Sequence, residues 1–277
     1  MTDLREAPGA RARLYRSAPT WDGLRTAAIG DFRCDSVESG AGLLRTIAAD
    51  LAAEGVEAVL GPMNGDTWHS YRLVTESDGS SPFLLEPVSK PHDLAAFEAA
   101  GFAPVGRYFS ARVRTAEAIG PDPEPLPGLT IEPWDGADAE AHFASVYDLS
   151  CKAFAGNAFY TPIDRATFLG MYMPLVPMIR RDLVFLARHE GRLAGFLFGI
   201  PNYQDGLTPA SAILKTYASL VPGAGHALAR AFHEAALSAG FETVIHALIH
   251  DTNASADRSR RHGGTVFRRY VLMGRRL

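Results

Sequence analysis

Cysteine is scarce in this sequence. Cys34 and Cys151 are the only two in 277 residues, far apart and without partners at metal-ligand spacing. That pattern excludes a disulfide scaffold and a cysteine-rich zinc site, and the two side chains read as ordinary reduced thiols of a cytoplasmic protein. Long apolar runs are missing as well. None approaches the roughly 20 residues needed to span a bilayer, so no membrane partner is expected. Residues 1–16, MTDLREAPGARARLYR, have no apolar core of the kind that marks a secretory leader. A basic excess is the third absence: 27 Lys and Arg against 31 Asp and Glu leave a net charge of -4. Without a cationic face to neutralise phosphates, nucleic acid is not an expected partner. What remains is a composition that is 47% hydrophobic and 21% charged, which is that of a packed globular chain. The length suits two domains better than one.

The clearest punctuation is IGPDPEPLPG at residues 119–128, whose prolines and glycines leave no room for a periodic pattern. It is read as a linker between a domain at 1–118 and another at 129–277. After it, LTIEPWD (129–135) alternates as a strand does, and Asp138 to Phe154 and Asp164 to Tyr172 carry helical spacing until Pro174 and Pro177 intervene. Two apolar runs around Glu190-Gly191 predict a hairpin. SAILKTYASL (211–220) predicts a strand, Gly223 to Gly240 an amphipathic helix with a capping glycine, and TVIHALIH (243–250) a strand. A short polar helix (254–262) and a last strand, TVFRRYVLMGRR, complete the order β-α-α-β-β-β-α-β-α-β.

Part of this pattern occurs twice. GAGLLRTIAADLAAEGVEAVLGPM, from Gly40, parallels GAGHALARAFHEAALSAGFETVIHAL, from Gly223. Each predicts a glycine turn, an amphipathic helix, a capping glycine (Gly55 or Gly240) and an apolar strand, with the front helix two residues the shorter. TAAIGDFRC and APVGRYFSARVR (103–114) add strands to the front copy. The hairpin and paired helices that open the back copy have no visible counterpart before residue 20, so the front copy is expected to be incomplete.

Chemistry concentrates at YASLVPGAGHAL (217–228), where a strand meets a glycine turn and then a helix. The first N–H groups of such a helix are unpaired and lie at the positive end of its dipole, which makes a pocket for phosphate. The stretch is not a P-loop, since no Gly-Lys-Ser/Thr follows, and it is not a dinucleotide fingerprint. In frame and element order, residues 129–277 resemble the GNAT superfamily of N-acetyltransferases, whose turn Arg/Gln-x-x-Gly-x-Gly/Ala wraps the pyrophosphate of acetyl-CoA. Here that frame reads Pro222-Gly223-Ala224-Gly225-His226-Ala227: both small positions match, and Pro222 replaces the Arg or Gln. Asn253-Ala254-Ser255-Ala256 matches the family's Asn-x-x-Ala, while Arg260 stands where a tyrosine acid is often found. Residues 25–115 resemble the family more loosely. GPMNGDTW with YRLV, and FEAAGF with RYFSAR, are similar to its tandem branch.

The resemblance implies an α/β fold, a GNAT-like acyl-CoA N-acyltransferase unit in two tandem domains with mixed central sheets, of which the back one is complete. It implies acetyl-CoA as cosubstrate, no metal, and an amine of a small molecule or peptide as acceptor. Ala218, Ser219, Leu220, Gly223, Ala224, Gly225, His226, Ala227 and Asn253 would contact the cofactor. His246, or water, would take the amine proton, and Ser259 would stand in for the missing tyrosine. The alternatives are a GNAT-like module that binds CoA or a protein without turnover, and a structural repeat that forms a homodimer through its last strand.

Several residues have plainer readings beside the functional ones. His246 and His250 share a strand face, where a hydrogen-bonded core histidine is commoner than a metal pair. Lys215 and Thr216 read as half-exposed strand residues, and Arg258, Arg260, Arg261 and His262, with Arg268 and Arg269, as either a solvated basic face or a phosphate contact. Trp68, Tyr71 and Arg72 either line a pocket or pack between the halves, with packing preferred. The front turn Ser39-Gly40-Ala41-Gly42 is expected to hold no ligand.

Overall fold

The structure, a computed structural model, describes residues 2–120 and 124–277. The linker expected at 119–128 lies partly outside these. Along the chain the elements are β1 (Thr2–Ala7), β2 (Ala10–Tyr15), β3 (Thr26–Cys34), α1 (Val37–Ala53), β4 (Ala58–Gly61), β5 (Leu73–Ser77), α2 (Asp93–Ala99), β6 (Ala103–Arg114) and the single turn α3 (Thr115–Ala118). They continue as β7 (Leu129–Pro133), α4 (Ala139–Ala153), α5 (Arg165–Tyr172), β8 (Val184–His189), β9 (Arg192–Pro201), β10 (Ser211–Ser219), α6 (Ala224–Ser238), β11 (Thr243–His250), α7 (Ala254–Arg261) and β12 (Thr265–Arg276). No helix among the described residues is long and apolar enough to cross a membrane.

The chain forms two compact units. Unit 1 comprises Met1–Tyr108, Asn157–Thr161 and Arg268–Leu277; unit 2 comprises Phe109–Gly156 and Pro162–Phe267. The chain therefore changes unit inside two strands, β6 and β12.

In unit 1 the strands run β1-β2-β3-β4-β12, with β5 also beside β12. β3 and β4 are parallel over Thr26–Ala28 and Ala58–Leu60, as a helical crossover requires. α1 supplies that crossover and turns Leu44, Ile47 and Leu51, at helical spacing, into a core shared with Leu14 and Ile29. Two expectations are corrected here. Residues 2–15 do form a hairpin, β1 against β2, so the front copy lacks the opening strand and the paired helices but keeps this element. The helix of the front copy does not begin at a glycine turn. The Ser36 hydroxyl accepts the Ser39 N–H at 3.2 Å, and the Ser39 hydroxyl accepts the Ser36 N–H at 3.2 Å. This reciprocal cap starts α1 at Val37, puts Gly40 and Gly42 inside it, and makes it 17 residues long against 15 for α6.

In unit 2 the order is β6-β11-β10-β9-β8-β7. β7 to β10 pair antiparallel, and the β8–β9 turn takes positive φ at Glu190 and Gly191, the geometry of a tight hairpin. α6 buries Leu228, Phe232 and Ala236 against Leu197, Ala212 and Val244. Neighbouring residues of a strand point to opposite faces, so Phe198 lies on the other side of β9, under Phe143 of α4 and Tyr172 of α5. Helices thus cover both faces of this sheet. Phe232 is fully buried at the centre of the α6 face. Phe232→Ala is expected to lower the stability of the protein by about 3–5 kcal/mol, measured by urea unfolding; a loss under about 1 kcal/mol would mean that α6 is not seated on this sheet.

Candidate functional site

The site begins where two strands part. β10 and β11 are paired in parallel over four residues only, Ser211–Leu214 against Thr243–His246. At that point β10 carries a bulge, Lys215 being skipped in the pairing with β9, after which Thr216 to Ser219 stay with β9. On the other side Leu248 has a φ of +56°, a left-handed conformation costly for a leucine, and its N–H is held by the Ser110 hydroxyl at 3.0 Å. The second halves of β10 and β11 are therefore not bonded to each other. Alternate backbone groups of Lys215–Ser219 face the gap.

The N-terminus of α6 opens toward the same end of β10. Gly223 is the N-cap, with φ +88° and no side-chain cap. Leu220 donates to the Ala194 carbonyl at 2.8 Å and His226 to the Gly223 carbonyl at 2.9 Å, but among the described residues nothing accepts from the N–H groups of Val221, Gly223 and Gly225. Ala218 is buried, Ser219 half-buried and Leu220 exposed; Ala224 and Gly225 are buried, while His226 and Ala227 are half-buried. The predicted cofactor residues of the turn are thus contiguous in space. Asn253 caps α7 by position only, since its carboxamide has no partner among the described residues.

Arg258 of α7 completes this corner. A Cβ built on Gly225 would lie 3.1 Å from the Arg258 guanidinium, which also donates to the Tyr217 hydroxyl at 3.3 Å and sits 5.6 Å from its ring centre. A cation at a helix N-terminus is electrostatically unfavourable unless an anion accompanies it. The sequence offers Arg258 as one of a basic cluster, either a solvated face or a phosphate contact, and gives Tyr217 no role beyond opening the strand-turn-helix stretch. Two others of that cluster go elsewhere: Arg260 is exposed and paired with Asp257, and Arg268 belongs to unit 1.

His246 and Ser259 come together, but beneath this surface. The Ser259 hydroxyl lies 2.8 Å from His246 Nδ1, and His246 Nε2 lies 3.0 Å from Nε2 of His233 on α6. All three are buried. Burial, and then His262, pulls His246 down to about 3, and burial followed by His246 and His262 pulls His233 well below the ordinary histidine range. His262 Nδ1 donates to the Ala118 carbonyl at 2.6 Å, leaving its Nε2, like Nδ1 of His233, buried without a partner among the described residues. The two rings are 4.9 Å apart, and a water is the usual bridge between such atoms. His233 was missed in the sequence, although it lies two turns from His226 on the helix face that meets His262. His250 turns away to Thr252, so it makes no pair with His246.

No protein-family model matches the sequence, and no curated protein does either. Solved structures do match. A GCN5-related N-acetyltransferase from Sphaerobacter thermophilus is 16% identical, with 99% of this chain and 80% of that one covered at a TM-score of 0.58. A tandem GNAT protein from the clavulanic acid biosynthesis pathway is 16% identical over 99% and 83% of the two chains, with a TM-score of 0.57. The chain has the GNAT fold in tandem. A GCN5-related N-acetyltransferase from Anabaena variabilis gives a TM-score of 0.54 at 11% identity, over 96% of this chain and 59% of that one.

Unit 1 repeats the parallel pair and helical crossover of unit 2, but its strands do not part in the same way. There the β3–β4 ladder ends at Ala28 and Leu60, one residue before β4 itself ends, and the Met63 N–H then bonds the Ile29 carbonyl at 2.7 Å. The N-terminus of α1, however, is closed by its serine cap. Cys34, His92 and Asp93 bring ligand-type atoms within 4.8 Å of one another. The Cys34 thiol is pushed up to about 11, by burial first and then by Asp93, which opposes the thiolate a metal would need. Trp68 packs on Tyr160 and donates to the Thr161 carbonyl at 3.0 Å, whereas Tyr71 and Arg72 line a cavity.

The histidine cluster sets a pH dependence. His233 and His246 stay neutral in the fold, while in the unfolded chain they take up protons below about pH 6.5. The unfolded state then binds more protons, so stability is full above pH 6.5 and declines as pH falls below it. Urea unfolding between pH 7 and pH 5, where carboxylates are still ionised, is expected to show a loss of about 1 kcal/mol per pH unit for each such histidine. His142, pulled down to about 4 by burial, adds to the same trend. The slope will be shallower in His246→Asn; an unchanged slope would show that this histidine is not the group responsible.

Proposed function

We propose that unit 2 binds an acyl-CoA, acetyl-CoA in its simplest form, and transfers the acyl group to a primary amine of a small molecule or peptide. The observation that carries this reading is the corner where parted strands, an uncapped helix and a guanidinium converge. Unpaired N–H groups of Val221, Gly223 and Gly225 and the charge of Arg258 suit a pyrophosphate. Gly225 fits as a cradle that a side chain would fill. Pro222 supplies neither the charge nor the amide of the usual Arg or Gln, and Arg258, reaching over from α7, offers the missing charge from another element. The likeness in fold to N-acetyltransferases supports the same reaction class.

The residues divide the work as follows. Gly223 to Ala227 and Arg258 would hold the phosphates, and the free carboxamide of Asn253 would orient the pantetheine arm beside β11. Bound in this way, the cofactor supplies a thioester whose carbonyl carbon is open to a neutral amine. Backbone N–H groups of Thr216–Ser219 that do not pair with β9 would stabilise the charge that develops on the carbonyl oxygen. His246, buried and held near pKa 3, is poorly matched to removing the proton of an amine at neutral pH. Water at the open face of β10 is the better base, with His246 and Ser259 fixing α7, and hence Arg258, against α6.

A second reading, binding without turnover, is favoured by one observation: Arg260, at the tyrosine position, is exposed and paired with Asp257. Calorimetric titration of acetyl-CoA, followed by assay of free-thiol release with a panel of primary amines, separates the two. The wild type is expected to bind, Arg258→Gln to bind about 10-fold more weakly, on the scale of one charge-assisted contact, and Gly225→Glu not to bind. Binding without thiol release would support the second reading. Failure of the folded wild type to bind would end both.

A further inference from the structure

Unit 1 contains a guanidinium that the fold leaves without a counter-charge. Arg72 is 8% exposed, yet among the described residues no carboxylate pairs with it. Its partners are neutral: the hydroxyls of Tyr71 and Tyr108, whose rings lie 3.7 Å and 4.1 Å from the guanidinium carbon. Burial holds the Tyr108 phenol protonated. Nε of Arg72 is buried without any partner. Arginine does not escape burial by losing its proton, as lysine or histidine can. Contacts with aromatic faces recover only part of the lost hydration, and an unpaired buried charge is among the costlier features of a fold. The backbone is also held out of the ordinary at this residue, with φ +93° and the N–H donated to the Pro62 carbonyl at 3.0 Å.

This side chain lines a cavity of about 320 Å³ between the far half of β3 and the segment that follows β4. That volume is at the low end of small-molecule sites. The acids around it are already engaged. Glu86 is paired with Arg268 and accepts from Tyr270; Asp31 is paired with Arg13 and bonded to Asn64; Asp93 accepts the Lys90 N–H. None of them neutralises Arg72, but three acids against the two lining guanidiniums, Arg33 and Arg72, disfavour a multiply charged anion such as phosphate. A planar monoanion matches the planar fork of a guanidinium, and the Tyr71 ring and Val88 offer walls to a small organic body.

We propose that this cavity is a binding site for a small organic carboxylate, whose carboxyl group pairs with Arg72. The site lies wholly in unit 1 and stands whether or not unit 2 binds acyl-CoA. It is distinct from the corner at α6, because the matching helix end of unit 1 is closed by Ser36 and the charge comes instead from the segment after β4.

The test is fluorine NMR of the full chain with 4-fluorobenzoate, and with 4-fluorobenzamide as the uncharged twin. The wild type is expected to broaden the line of the acid and not that of the amide. The broadening should vanish in Arg72→Met. It should fall several-fold in Val88→Glu, which adds a negative charge at the cavity wall on a residue that is 69% exposed, so that the fold is spared. Three results would overturn the proposal: no broadening at about 10 mM probe, well above the range of even weak sites; equal broadening of acid and amide; or broadening of the acid unchanged in Val88→Glu or in folded Arg72→Met.

Discussion

The short parallel pairing of β10 with β11 is the constraint on which the candidate site depends. Four residue pairs join these strands before the bulge at Lys215 keeps β10 with β9 and the left-handed Leu248 commits β11 to Ser110. Had the pairing continued, the backbone groups of Lys215–Ser219 would have been used up in a ladder, and no groove would lead to the turn at Gly223. Because the strands part, α6 and α7 can lean over the gap from their own strands. The buried chain Ser259–His246–His233 then ties the two helices together below it. Arg258, beside Ser259 on α7, reaches the α6 N-terminus above that tie and bonds the Tyr217 hydroxyl there. The electrostatics of the corner are thus a product of where the strands stop pairing.

The two units show how one supersecondary arrangement can be given different chemistry by its caps. β3-α1-β4 and β10-α6-β11 share a parallel pair and a helical crossover, but only the back pair parts while both strands continue; in front, the Met63 N–H bonds the Ile29 carbonyl just past β4. In the front copy the Ser36–Ser39 capping box satisfies the helix N-terminus with the protein's own hydroxyls. In the back copy Gly223 offers no side chain, and N–H groups remain free. A helix capped by its own hydroxyls has less to offer a phosphate than one without a side-chain cap. The front copy instead carries a buried guanidinium at Arg72, in the segment that follows β4.

The legibility of the fold in the sequence followed the range of the interactions involved. Strand 243–250 and the last strand, 265–276, agree with β11 and β12 to the residue, and α6 was bounded by Gly223 and Gly240, because period and punctuation are local signals. The hairpin of β1 and β2 escaped notice for a local reason too. Its strands are rich in Arg and Ala, and only Ala10, Ala12 and Leu14 show the alternation that marks a buried face. The start of α1 was misread because the Gly-Ala-Gly of residues 40–42 was given the meaning it has at 223–225. A serine pair four positions earlier in the chain outweighed it.

The sequence by itself determined the element order of the back half, the repeat and the small residues of the α6 turn, and it singled out His246 and Ser259 separately as candidates. Only the tertiary structure decided what those residues face. Pro222 leaves a charge missing from the turn, and Arg258, from a different element 36 positions on, stands in its place. Burial, which no spacing displays, turned His246 from an open base into a neutral strut and left Arg72 among neutral tyrosine hydroxyls with no carboxylate beside it among the described residues. Local patterns select backbone conformations because neighbouring residues share dihedral and pleat constraints. The pairing of charges, and the water each one loses, depends on groups distant in the chain, and is settled only when packing brings them together.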